Sequence, residues 1–94
     1  MTYAVVWTDS ALIDLEGIRS YIENFNPYAA EDMAAQILQA ADGLTAFPYR
    51  GRQVPTTSLR ESALPFPYII RYRIDESARR VIILRVRHGA RRPG

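Results

Sequence analysis

The residues able to do chemistry lie in the second half of this chain. Residues 50–94 hold eleven arginines against three acids, whereas residues 1–49 hold Arg19 alone against seven. The basic half closes on a run from Arg79 to Arg92 that is strand-like, threaded with arginine, and carries His88, the only histidine. Guanidinium groups bind carboxylate or phosphate with planar, paired hydrogen bonds and do not give up their proton. Histidine is the one side chain here whose ordinary pKa suits proton transfer near neutrality. The chain therefore points to anionic partners, with His88 as the sole candidate acid–base group.

Much other chemistry finds no support. There is no cysteine, hence no disulfide framework, thiol nucleophile or cysteine metal site. No glycine-rich phosphate loop or paired-histidine spacing occurs, and Ser58 and Ser62 stand outside any nucleophile motif. No metal and no cofactor are expected. All twelve basic residues are arginine, which we attribute mainly to genome composition, because Arg19 shares the bias without an evident role. Asp14, Glu16, Glu23, Glu31 and Asp32 read as solubilising charge. Direct DNA binding lacks any helix-turn-helix to accompany the arginines.

The elements that must position these residues follow from hydrophobic period. Residues 2–7 form an apolar and aromatic run of strand length, and Thr8, Asp9 and Ser10 supply helix-starting side chains. Ala11, Leu15, Ile18, Ile22 and Phe25 then recur at helical steps, with Asp14, Glu16, Arg19 and Glu23 facing outward. Asn26-Pro27 predicts an N-cap and the first position of a second helix. Its apolar face is Ala30, Met33, Ile37, Ala41, Leu44 and Phe47, ending at Pro48. Residues 48–57 read as a crossover loop. Strands are expected at 58–64, 67–74 and 79–88, the last two joined around residues 75–78.

The expected fold is α+β with the order β-α-α-β-β-β: one domain over residues 1–94, in which an N-terminal helical hairpin packs on a small, mainly antiparallel twisted sheet. Alternation places Tyr68, Ile70, Tyr72 and Ile74 with Ile82, Leu84 and Val86 against the helices. It leaves Ile69, Arg71, Arg73, Val81, Ile83, Arg85 and Arg87 outside. Arginines on an outer face are often only solvated, with their stems over apolar neighbours. Four together on neighbouring strands repel unless an anion or acidic peptide relieves them, or internal acids such as Glu61 and Glu76 do so.

The ordered set Ala11-x-x-Asp14-Leu15-x-x-Ile18, Asn26-Pro27-x-Ala29-Ala30, Leu44-x-x-Phe47-Pro48-x-x-Gly51-Arg52, Leu59-Arg60-Glu61, the 67–74 strand and Val81 to Arg91 resembles the RelE/ParE toxin superfamily over essentially the whole chain. The resemblance implies the toxic half of a type II toxin–antitoxin module, cytoplasmic and without membrane association. It also implies a partner, a ParD-like antitoxin, here expected to present an acidic segment to Ile69, Arg71, Arg73, Ile83 and Arg85, and a higher-order complex.

The superfamily divides by target. RelE-like members cut messenger RNA in the ribosomal A site, whereas ParE-like members inhibit DNA gyrase and have no known bond-breaking chemistry of their own. As a nuclease, the chain would rely on Arg60 and Arg85 to stabilise phosphate and on His88 for proton transfer. Tyr72 is disfavoured for such a role by its inward parity. The missing lysines and the ending His88-Gly89-x-Arg91 resemble ParE-like members instead, with His88 ending the last strand and capping a turn. The first expectation is therefore a gyrase inhibitor with no catalytic residue, whose target surface comprises Arg85, Arg87, His88, Arg91 and Arg92.

Overall fold

The computed structural model describes residues 2–90. Strand β1 (Ala4–Trp7) hands over at Thr8, whose side-chain oxygen accepts from the Ala11 N–H and so caps helix α1 (Asp9–Glu23). Asn26 caps helix α2 (Pro27–Asp42) by accepting from the N–H groups of Tyr28 and Ala29, with Pro27 at the first helical position as expected. Four further strands follow among the described residues: β2 (Arg52–Gln53), β3 (Leu59–Ser62), β4 (Tyr68–Asp75) and β5 (Arg80–His88).

The five strands form one sheet in the order β1-β5-β4-β3-β2, with β1 parallel to β5 and every other pair antiparallel. The helical hairpin covers one face. Ala11, Ile37, Ala41 and Leu44 meet Tyr68, Ile70, Tyr72, Val81, Ile83 and Val86 in a single buried cluster. Full burial of a side chain such as Ile37 or Leu44 contributes roughly 1.5–3 kcal/mol. Arg19 ties the hairpin together from outside, bonding Glu16 and Glu23 of α1 and Glu31 of α2.

Three expectations need correction. The loop over 48–57 contains a short strand, β2, paired with β3 at Arg52↔Glu61 and Gln53↔Arg60. Helix α2 stops at Asp42 and tightens into a 3₁₀ turn over Gly43–Thr45. Phe47, placed on the buried helical face by period, is 62% exposed, and Phe25 at the end of α1 is 74% exposed.

A fourth correction concerns which residues of β5 face the core. Val81 and Ile83 are fully buried, not outside, and Ile82 and Leu84 are only half-buried. The cause is a β-bulge. The ladder pairs Arg71 with Arg85 but Tyr72 with Ile83, so Leu84 is an extra residue in β5. One inserted residue inverts inside and outside on one side of it. Val86, beyond the bulge, keeps the buried position that alternation predicts.

Candidate functional site

The register assembles a charged row across the outer face of the sheet, Arg52 beside Glu61, Glu61 beside Arg71, and Arg71 beside Arg85. Glu61 is its centre. Arg71 donates to Glu61 Oε2 from Nε at 2.9 Å and Nη2 at 2.6 Å, and Arg87 donates to the same oxygen at 3.3 Å. Burial alone would push the Glu61 carboxyl up, but the bonds and charges of the two guanidiniums outweigh it and hold the group below its ordinary value. Half of the expected four-arginine repulsion is thus relieved internally, as anticipated for Glu61.

Arg85 leaves that face. Strand β1 flanks β5 only as far as Ile83, so the β5 backbone beyond it is an open edge. Asp14, projecting from α1, closes part of that edge. Its carboxylate accepts from Arg85 Nε at 2.8 Å and Nη2 at 3.1 Å, and from the Val86 N–H at 2.9 Å. The Asp14 hydrogen bond and charge raise the Arg85 pKa above its usual value. With its side chain only 15% exposed, Asp14 is a structural clasp between helix and sheet, not solubilising charge.

Among the sequence-predicted residues, Ile69, Arg71, Arg73 and Arg87 share the outer face, and among the described residues Arg73 has no ion-pair partner. Ile83, expected beside them, has no exposed surface and cannot touch a partner. His88 ends β5; its Nδ1 accepts from the Ala90 N–H at 3.1 Å and its ring meets Tyr68 edge-on. That is the turn-capping role. Arg91 and Arg92 lie outside the described residues.

Arg60 sits apart from all of these. Its partner across the ladder is the buried Tyr72, on the helix side of the sheet. Its Nη1 donates to the Gly51 carbonyl at 2.7 Å and the Tyr49 carbonyl at 3.3 Å, and its guanidinium lies over the Tyr49 ring. Because Arg60 pairs with Tyr72 and His88 with Tyr68, four residues along β4 and two strand spacings put their Cα atoms roughly 16 Å apart.

Sequence reasoning missed a groove of about 430 Å³ between α1 and the end of the sheet, where Ile13, Gly17 and Tyr21 face Tyr68, Val86 and His88. A glycine in mid-helix was the available signal, since nothing within 4 Å of a Cβ there explains it by crowding. No group of acids and histidines among the described residues could hold a metal ion, and no described helix is long and apolar enough to cross a membrane.

A helical hairpin capping one face of a five-stranded sheet, with an arginine-rich opposite face, defines a toxin of the RelE/ParE superfamily. The chain belongs to the ParE toxin family of type II toxin–antitoxin systems, parDE, whose family model matches residues 5–93. Toxin RelE2 of Caulobacter vibrioides is 48% identical over 87 residues, covering 93% of this chain and 96% of that protein. Putative toxin Y4kP of Sinorhizobium fredii is 45% identical over 83 residues, 87% of this chain and 83% of its own. Among solved structures, a chromosomal ParDE system from P. aeruginosa superposes with a TM-score of 0.81 at 21% identity, covering 92% of this chain and 95% of that one. The RelBE2 toxin–antitoxin complex from Mycobacterium tuberculosis gives 0.67 at 25% identity, covering 94% and 99%.

Proposed function

We propose that this toxin acts on DNA gyrase, without bond-breaking chemistry of its own, and that a ParD-like antitoxin holds it in the cytoplasm within a higher-order complex. The observation that carries the reading is the dispersal of the candidate nuclease groups. Arg60 is bonded into the 49–51 backbone, Arg85 is held by Asp14, and His88 caps a turn. Three groups so engaged do not converge on one phosphate. The target surface is Arg85, Arg87 and His88, continued by Arg91 and Arg92. The antitoxin surface is Ile69, Arg71 and Arg73, bordered by Arg85 at the β5 edge, and its acidic segment replaces Glu61 as the counter-charge of Arg71.

The test is expression of the chain alone from a tightly controlled promoter, with parallel assays for gyrase-linked DNA breaks and for ribosome-dependent messenger-RNA cleavage. Breaks with intact transcripts are expected, and alanine at Arg85, Arg87 and Arg91 together is expected to abolish growth inhibition in a folded protein. A second reading, a ribosome-dependent endonuclease, is favoured by the RelE names of one relative and one structural neighbour. It would employ Arg60, Arg85 and His88, and in it His88→Gln alone abolishes cleavage.

A further inference from the structure

Between β3 and β4 the chain runs through Ala63-Leu64-Pro65-Phe66-Pro67, five residues without a polar side chain. Connections of this kind lie in water and are ordinarily built from polar and turn-forming residues. Here Ala63 is exposed, Leu64 is 55% exposed, and Phe66, at 84%, is more open than any other large hydrophobic residue described except Tyr28. A lone apolar residue on a surface is ordinary. A consecutive apolar stretch in a surface loop is not, because it costs solubility and adds nothing to the core, and that marks it for a partner.

The stretch is also held still. Pro65 and Pro67 fix the backbone on either side of Phe66. The Tyr68 N–H donates to the Pro65 carbonyl at 2.8 Å, closing a turn around Phe66, and the Gly89 N–H donates to the Pro67 carbonyl at 2.7 Å. Only a glycine makes that second approach without crowding, since a Cβ at residue 89 would lie 3.1 Å from the Pro67 oxygen and 3.3 Å from Ile69 Cδ1. The loop is thereby riveted to the turn after β5, and chain geometry keeps the Phe66 Cα within roughly 10 Å of that of Gly89. His88 precedes this glycine, and Arg87 pairs with Ile69 just beyond the loop. The apolar stretch therefore stands at the end of the sheet that carries the cations assigned to the target. Its conformational freedom is given up on folding and is not lost again on binding.

We propose that the 63–67 loop is a rigid apolar finger anchoring the target surface, with Phe66 at its tip entering a concave apolar pocket, rimmed by carboxylates, on a folded protein partner. The inference rests on the proposed function and supplies what its cations lack. Guanidinium groups steer and orient a partner, whereas a few buried aromatic anchors carry most of the affinity. The carboxylate rim is the complement of Arg85 and Arg87. The pocket is the complement of the finger's shape. A flexible antitoxin segment has no pocket of its own to offer, and a large folded target such as gyrase can provide one.

The test is inhibition of supercoiling by purified gyrase, titrated with the full chain and its variants. Phe66→Ala is expected to raise the half-inhibitory concentration by about thirtyfold or more, the loss of a central anchor. Phe66→Met, which keeps apolar bulk, is expected to stay within about threefold of the parent. Tyr28→Ala removes a comparably exposed ring from the start of α2 and is expected to change potency by less than about twofold, as residues outside an anchor do. All three side chains stand in solvent, so circular dichroism and the melting temperature will show the variants folded. A parent that fails to inhibit gyrase overturns the proposed function itself, before any variant is compared. A parent that inhibits while Phe66→Ala matches it, or equal losses in Phe66→Ala and Tyr28→Ala, overturns the finger alone. Dimerisation in sedimentation velocity, or binding to anionic phospholipid vesicles, that disappears in Phe66→Ala gives the loop another occupant and likewise overturns the assignment.

Discussion

Replacing Tyr72 by phenylalanine removes one oxygen atom from the centre of the molecule and leaves the ring's packing unchanged. That oxygen donates to the Pro48 carbonyl and accepts from the Gly51 N–H, and the side chain has no exposed surface. Its loss strands a buried acceptor and a buried donor. Each costs about 1–3 kcal/mol when left unmade, and the segment can relax toward water to recover part of this, so the expected loss is about 3 kcal/mol. For a domain of this size that lowers the melting temperature by roughly 10–20 °C. Urea unfolding should show the midpoint falling with an unchanged slope, because the buried area is the same in both proteins. Limited trypsin digestion supplies a local readout, since Arg50 and Arg52 flank Gly51, and cleavage there should accelerate ahead of global unfolding. A loss under about 0.5 kcal/mol, smaller than the cost of a single stranded group, would refute the view that this hydroxyl anchors the 48–51 segment.

Three further outcomes are expected. Gly51→Ala should destabilise by about 3 kcal/mol in chemical denaturation, because its Cβ would lie 2.5 Å from the Tyr72 hydroxyl and 2.9 Å from the Glu61 carbonyl, the latter fixed backbone. Glu61 has a folded pKa below its ordinary 4.5, so its contribution to stability is complete above that value and is lost as pH falls through the folded pKa. Melting temperature plotted against pH should show a steeper acid limb for the parent than for Glu61→Gln. Asp14→Ala should lower the melting temperature more than Arg85→Ala does, because Asp14 also accepts the Val86 N–H that Arg85 never touches; equal losses would reduce the clasp to an ordinary surface ion pair.

The helices were legible because their signals are local. Thr8 and Asn26-Pro27 act on N–H groups two or three residues away, and those bonds form as read. The inward face of β4 was legible for the same reason, since Tyr68, Ile70 and Tyr72 alternate without interruption. Strand β5 was not, because Leu84 looks like any other residue of its run until its partner on β4 is known. Strand β2 is two residues long and exists only through β3. Asp14 has the helical position of a solvent-facing acid, and its burial depends on where a strand some seventy residues later ends its pairing with β1. Arg60 and His88 read as site partners because sequence carries no distance between strands.

The parallel pairing of β1 with β5 has a mechanical consequence. The two strands run side by side in the same direction, from Ala4 beside Arg80 to Trp7 beside Ile83. Traction applied ahead of β1 and beyond β5 therefore pulls them in opposite senses along their length. Their hydrogen bonds are loaded in shear and must give way together, whereas a hairpin such as β4–β5 pulled from its open end would unzip one pair at a time. Strands β1 and β5 thus form a clamp against traction of that sense.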